Sequence, residues 1–405
     1  MLSLHSCPCS KLGSRYTGGM NIYIKNLSEQ LEKNGHYVDI YTCSHERSED
    51  CNSIISMNNV NLIHIPIEDF STIDEDRLYR NVAVMAESII LYSTFKNLHY
   101  DIIHSHYWLS GMVGSVLKEF WNIPHVTMFH TLARIKNEVS PGYIEPSFRI
   151  IAEENVMGSC DLIIASTEKE KAYLIDKYRA LDSKITVIPC GVNTDLFKPV
   201  NKDLARKLSG IKSSPNILFV GRDDPIKGLD NLLMALSLLK MADGFTLTII
   251  GGDDSSLFSI RNTLRQKCNS ILSDHINLIG PVPHEQMVSY YNTADFCVIP
   301  SYYESFSLVA LESVACGVPV LSTDVGDVRH ISASCPSCII ISSNNPDTIA
   351  RGIKDMLNIK KETNYKSIPD RYRWRNIVNK IIQHYFELRL QVYKEKTSAQ
   401  KLLRK

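Results

Sequence analysis

Short apolar runs alternate with longer amphipathic stretches along nearly the whole chain, and nothing else in the sequence narrows the fold as far. In the first half, segments 37–42, 60–65, 101–106, 125–130, 161–166 and 184–189 read as strands, and the opening MLSLH reads as one more. Between them, segments such as 19–34 and 109–121 repeat apolar residues at three- and four-residue spacing, which predicts helices. Strands that alternate with helices bury both faces, so the sheets they form are parallel and covered on each side. The pattern restarts after the turn-rich stretch CGVNTDLFKPV (190–200), with strands expected at 216–221, 245–252, 276–280, 294–300 and 318–323. The expected fold class is therefore α/β, with two doubly wound Rossmann-like domains facing an interdomain cleft. Residues 1–198 form the first domain and 199–379 the second, while a C-terminal helix over 380–405 crosses back to brace the first. A chain of 405 residues is long enough to fill two such cores.

Composition removes several function classes. Lys+Arg and Asp+Glu balance at 44 each, so no global field gathers nucleic acid. No apolar run reaches the roughly 20 residues that span a bilayer, and the N-terminus lacks a basic region followed by a long apolar one, which reads as cytoplasmic. The eleven cysteines lie mostly in apolar segments, as at Cys160, Cys297 and Cys316, and read as reduced thiols. Cys7-Pro-Cys9 and Cys335-Pro-Ser-Cys338 lack the further ligands of a zinc site, so no metal is expected.

The chemistry gathers in loops that follow expected strands, where ligands bind in open parallel sheets. PSYYESFSLVALESVACGVPVL (300–321) sets Glu304 and Glu312 around the start of a predicted helix. A helix N-terminus offers unpaired N–H groups and partial positive charge to a phosphate, and flanking carboxylates suit sugar hydroxyls. GRDDPIKG places Arg222 and Lys227 after an apolar strand, where a fork-shaped and a point cation suit a diphosphate. The plain alternative, solvated loop cations and ordinary helix-start acids, is the weaker account because the two groups recur together. Gly18-Gly19-Met20-Asn21 opens the first helix; the glycines let backbone approach a phosphate, and Asn21 offers a substrate hydrogen bond. The absence of a GxGxxG fingerprint argues against a nicotinamide enzyme. Among His104, His106, His125 and His130, only His130 ends a strand and leads into Thr131-Leu132-Ala133, where a side chain reaches the cleft.

GRDDPIKG followed by ESFSLVALE resembles the retaining glycosyltransferases of family 4, which have the GT-B fold, and the likeness covers nearly the whole chain. TGGMNIYIKNL, DIIHSHYWLSG and FHTLARIKNE are similar to the branch that glycosylates cyclitols, on either inositol phosphate or 2-deoxystreptamine. The resemblance implies that Gly19 approaches the donor phosphates and that Arg222 and Lys227 neutralise the departing diphosphate. It implies that Glu304 faces the donor sugar hydroxyls, that the N–H groups of Phe306, Ser307 and Leu308 cradle phosphate, and that Glu312 holds the ribose. His130 would touch the donor sugar, while Asn21, Tyr107, Thr131 and Arg149 would hold the acceptor, including an acceptor phosphate where there is one. UDP-sugar is then a co-substrate, and no cofactor or metal is required.

Three departures qualify the likeness. Ser307 stands where the family usually has Gly, and Asp327 follows Val325-Gly326 where V-G-G is common. Inositol-phosphate enzymes place a phosphate-binding lysine near IEDFSTIDEDRLYR (67–80), whereas this chain offers Glu68, Asp69, Asp74, Glu75 and Asp76, with Arg77 and Arg80 nearby. Acidic groups repel phosphate and attract an amine. The resulting expectation is transfer of N-acetylglucosamine from its UDP donor to an aminocyclitol such as 2-deoxystreptamine, as in aminoglycoside antibiotic biosynthesis. Inositol phosphate is the alternative acceptor, and a non-catalytic nucleotide-sugar sensor is the alternative of another class.

Overall fold

Two parallel sheets, each covered by helices, carry the chain. The structure, a computed structural model, describes residues 1–10, 17–43, 59–66, 75–140, 142, 144–211, 215–239, 244–252, 257–258, 260, 275–359 and 367–403, with side chains to 396.

In the first sheet, β1 (Val38–Cys43) pairs with β2 (Val60–Ile65), and β3 (Ile103–His106), β4 (His125–Met128), β5 (Leu162–Ala165) and β6 (Ile185–Val187) follow in that order. The opening residues join the two groups. Leu2 bridges Tyr41 of β1 and Ser105 of β3, both parallel, with Leu2 N donating to the His104 carbonyl at 2.9 Å and Ser3 N to that of Tyr41 at 2.9 Å. The chain thus enters through the middle of the sheet, so its direction of growth reverses between the opening strand and β3. Helices fill both faces because their apolar stripes match the sheet. Helix Gly19–Lys33 buries Tyr23, Ile24, Leu27 and Leu31, and helix Trp108–Trp121 buries Trp108, Leu109, Val113 and Leu117.

The second sheet has six parallel strands in the order β12-β11-β10-β7-β8-β9. These are β7 (Asn216–Val220), β8 (Thr246–Ile250), β9 (Ile276–Gly280), β10 (Phe296–Ile299), β11 (Val320–Thr323) and β12 (Ile339–Ile341). The chain builds outward from β7 to β9, returns, and builds the other way from β10. Adjacent β7 and β10 therefore define the switch point, where loops diverge and leave a crevice at the carboxyl ends. Strand β12 was not expected from the sequence; it is three residues long at an edge, too short to show a period.

The long C-terminal helix Trp374–Leu403 runs from the second domain onto the first. Its Tyr385 hydroxyl lies 2.6 Å from His104 Nδ1, His384 Nε2 lies 3.2 Å from Thr186 Oγ1, and Arg389 pairs with Asp101 at 2.7 Å. Where it starts, Trp374 packs on Gly191 so closely that a Cβ there would fall 2.7 Å from the indole. No helix of the described residues is long and apolar enough to cross a membrane.

Candidate active site

The switch point of the second sheet brings the two strongest motifs into contact. Lys227 ends a short 3-10 turn (Pro225–Lys227) after β7, and Glu304 follows β10. Lys227 Nζ donates to both Glu304 oxygens, at 2.8 and 2.9 Å, and Ser301 Oγ adds a third bond to Oε1 at 2.8 Å. Tyr302 N donates to the Ile226 carbonyl at 2.8 Å, which locks the two loops together. The approach is tight enough to require glycine at 228, where φ is +70° and a Cβ would lie 2.2 Å from the Pro300 carbonyl. Arg222 is half-buried on the same loop, 3.6 Å from Asp224. Cation and carboxylate thus neutralise each other in this structure.

Helix Leu308–Ala315 starts beside them. Its N-cap is Ser307 at φ 80°, ψ 77°, the left-handed conformation that the usual glycine takes without strain. Ser307 Oγ accepts from Ala310 N at 3.4 Å, a weak cap that offsets part of the cost. Asp327 also has a role. Its N donates to the Phe306 carbonyl at 2.9 Å, while its carboxylate takes Tyr372 Oη at 2.6 Å and His330 Nδ1 at 2.7 Å, so it ties the phosphate-facing turn to the start of the C-terminal helix. Both departures from the family pattern leave the turn intact.

Glu312, one helical turn further on, is buried, and both of its oxygens are engaged. His284 Nε2 lies 2.6 Å from Oε1, and Tyr291 donates to Oε2 at 2.9 Å. Burial alone would lower the His284 pKa, but the Glu312 carboxylate outweighs it and holds the imidazole above its ordinary range. Glu312 and His284 line a cavity of about 510 Å³ between the domains, walled opposite by Asn21, Lys25 and Asn26. A wider groove of about 720 Å³ lies elsewhere, between Arg134 and Arg179. None of the candidate site residues lines it, and four of its charges form the pairs Lys177–Glu138 and Arg134–Glu154.

Across the cleft, Gly19 meets the second domain directly, since a Cβ there would touch Leu308 Cδ1 at 3.3 Å. Asn21 is spent inside the first domain. Its Oδ1 accepts from Gly18 N at 2.9 Å, and its Nδ2 donates to Ser6 Oγ at 2.7 Å and to the Cys7 carbonyl at 2.8 Å. Its amide thus braces the glycine turn, while the residue also lines the cavity between the domains. His130 sits just past β4 at φ 61°, with Nε2 3.0 Å from His106 Nδ1. Burial pushes its pKa down to about 3, so it faces the cleft as a neutral hydrogen-bonding group.

Tyr107, Thr131 and Arg149 converge as one cluster. Arg149 Nη2 donates to the Thr131 hydroxyl at 2.9 Å, and its guanidinium lies 4.9 Å from the Tyr107 ring centre. Two carboxylates missed at the sequence level complete it: Arg149 pairs with Glu145 at 3.0 Å and with Glu153 at 2.9 Å. With side-chain exposure of 1%, Arg149 holds this wall together, and an anionic acceptor would have to displace Glu145. Glu75 accepts from the Tyr107 hydroxyl at 2.9 Å. Of the other acids expected here, Asp76 pairs with Arg80 at 2.6 Å, and Glu68, Asp69 and Asp74 lie outside the described residues.

Known proteins are similar to this chain along its length. Residues 17–196 match the family Glycosyltransferase Family 4, and residues 201–369 match Glycosyl transferases group 1. D-inositol 3-phosphate glycosyltransferase from Geodermatophilus obscurus is 30% identical over 95% of this chain and 88% of its own. The chain belongs to the GT-B glycosyltransferases of family 4. It is an enzyme, a hexosyltransferase, and such enzymes join a nucleotide-sugar donor to a small acceptor. The Corynebacterium jeikeium protein of the same name is 33% identical over 85% of each chain. Among solved structures, sucrose-phosphate synthase from Thermosynechococcus elongatus superposes with a TM-score of 0.84 at 27% identity, covering 96% of this chain and 98% of that one. The Anabaena protein HepE in complex with UDP-glucose shares the fold at a TM-score of 0.69 and 14% identity, over 96% and 98% of the two chains.

Proposed function

We propose that the enzyme transfers N-acetylglucosamine from UDP-N-acetylglucosamine, with retention at the anomeric carbon, to a hydroxyl of an inositol phosphate. The observation that carries this reading is the convergence of Tyr107, Thr131 and Arg149 at the cleft, in a chain similar along its length to D-inositol 3-phosphate glycosyltransferases. The relatives favour this acceptor over the 2-deoxystreptamine suggested by the acidic segment. Lys227 and Arg222 take the diphosphate, and the first-turn amides of helix Leu308–Ala315 add a fixed partial positive charge. These groups stabilise the negative charge that grows on UDP as the glycosidic bond breaks. Glu304, released from Lys227, holds sugar hydroxyls, and Glu312 holds the ribose. As the resemblance to the retaining glycosyltransferases of this family implies, the acceptor attacks from the face the phosphate leaves, and that phosphate accepts its proton. Neutral His130 supplies a hydrogen bond to the donor sugar.

One observation favours a second acceptor. The Glu75 carboxylate sits on the Tyr107 hydroxyl, and an anion there disfavours a phosphate and suits an aminocyclitol. The deciding experiment is UDP release from UDP-N-acetylglucosamine with inositol phosphate and 2-deoxystreptamine offered in parallel, with product mass determined. A glycosylated inositol phosphate upholds the first reading. Product with 2-deoxystreptamine alone replaces it with the second and assigns the selection to Glu75.

A further inference from the structure

Ser166 and Glu170 lie in the first domain, yet they touch the loop that carries Glu304. Ser166 follows β5 and is 2% exposed, and Glu170 stands in the first turn of helix Glu168–Tyr178, also 2% exposed. Ser166 Oγ is 2.6 Å from Glu170 Oε2 and 3.0 Å from the carbonyl of Ser305, the residue after Glu304. Ser166 N donates to the same Oε2 at 2.7 Å.

The protons here do not suffice if Glu170 is ionised. One hydroxyl hydrogen then faces two acceptors, a carboxylate and a carbonyl, and the carboxylate is the stronger. If Glu170 carries a proton, it donates to Ser166 Oγ, the hydroxyl hydrogen is free for Ser305, and every group is satisfied. We infer that Ser166 is a positioning residue that docks the donor-sugar loop onto the first domain, and that it does so when Glu170 is protonated.

The surroundings agree. Among the described residues, Glu170 interacts with Ser166, the Tyr303 phenol from the loop that carries Glu304 and the Cys190 thiol from the segment joining the domains, none of them a cation. Burial without a counter-charge raises the Glu170 pKa above its ordinary 4.5. Nearby, Lys169 spans the same gap to Asp324 at 2.7 Å, with side chains 46% and 35% exposed, a contact that holds the domains together without setting a proton. The sign follows. The dock is complete at low pH and is lost as pH rises through the raised pKa, because the ionised carboxylate then captures the hydroxyl hydrogen.

This inference rests on the assignment of Glu304 to the donor sugar, so the experiment tests both. Purified full-length wild type, Ser166→Ala, Glu170→Gln and Glu304→Ala are compared by UDP release from UDP-N-acetylglucosamine from about pH 5 to about pH 9. Either acceptor serves, or the slow hydrolysis of the donor if neither is used. Ser166→Ala is expected to lose about ten-fold in kcat/KM at low pH, the loss of one buried hydrogen bond. Glutamine cannot ionise, so the ratio of wild type to Glu170→Gln should fall as pH rises. Ser166→Ala should remove that same dependence, which a merely structural role would not do. Ser166→Thr, which keeps the hydroxyl, should restore both if alanine perturbs folding. A flat ratio across pH, or wild-type kcat/KM in Ser166→Ala, overturns the inference. Full turnover in Glu304→Ala would overturn the Glu304 assignment instead.

Discussion

Lys227 and Glu304 spend the free state on each other, with side chains 25% and 16% exposed. That pairing keeps two charges from being stranded, and under the proposed reaction, in which they exchange each other for diphosphate and sugar, both are sensitive to truncation. Lys227→Ala is expected to lower kcat by about 10²–10³, the cost of removing one preorganised electrostatic group, with circular dichroism unchanged; steady-state UDP release measures it. Ser307 gives an opposite sign. Its φ of 80° is strained for any side chain except glycine, while its cap to Ala310 is long at 3.4 Å. Ser307→Gly should therefore raise the melting temperature, by relief of about 1 kcal/mol, while Ser307→Ala, which keeps the strain and loses the cap, should lower it. A thermal melt of both variants decides.

Helix Leu308–Ala315, whose N-terminus is proposed to face the donor, anchors itself through Glu312. The His284–Glu312 pair couples that helix to the loop after β9. Because the folded His284 pKa is raised, the pair contributes stability in full below the ordinary value of 6.5 and loses it as pH rises through the raised one. The melting-temperature gap between wild type and His284→Gln is expected to be widest at mildly acidic pH and to narrow toward alkaline pH, with a higher donor KM for the variant. A gap that widens with pH would remove the pair from this role. Asp327 belongs to the same scale. Its bonds to the Phe306 carbonyl and to Tyr372 carry any movement of the donor turn toward the start of the C-terminal helix.

At the scale of the whole molecule, the two sheets present their switch points to one cleft, and the C-terminal helix fixes the first sheet from behind. Tyr385 is the polar contact of that brace with the buried His104. Tyr385→Phe leaves a buried ring nitrogen without its partner, a cost of about 1–3 kcal/mol. The urea midpoint should fall accordingly, and because His104 stacks near His106, which bonds His130, donor KM is measured alongside it.

Strand positions were legible in the sequence because short, mainly apolar runs stand apart from the longer amphipathic stretches between them, and 60–65 and 276–280 match residue for residue. The cleft residues after β4, β7 and β10 were legible because their types suit phosphate and sugar at places where parallel strands end. What escaped notice was set by pairs far apart in sequence. Glu145 and Glu153 look like surface acids of a polar segment until folding closes them around Arg149. His284 lies 28 residues from Glu312, and Ser166 lies 139 from Ser305, with no local pattern to announce either partner. Asn21 shows the reverse case, a residue type apt for substrate that folding commits to its own turn. Periodicity thus determined the fold class, and strand-end chemistry picked out the candidate groups, since both act over a few residues. Tertiary structure alone decided which charges are free, which are spent on each other and which cross between domains, because those depend on distances that only the closed chain creates.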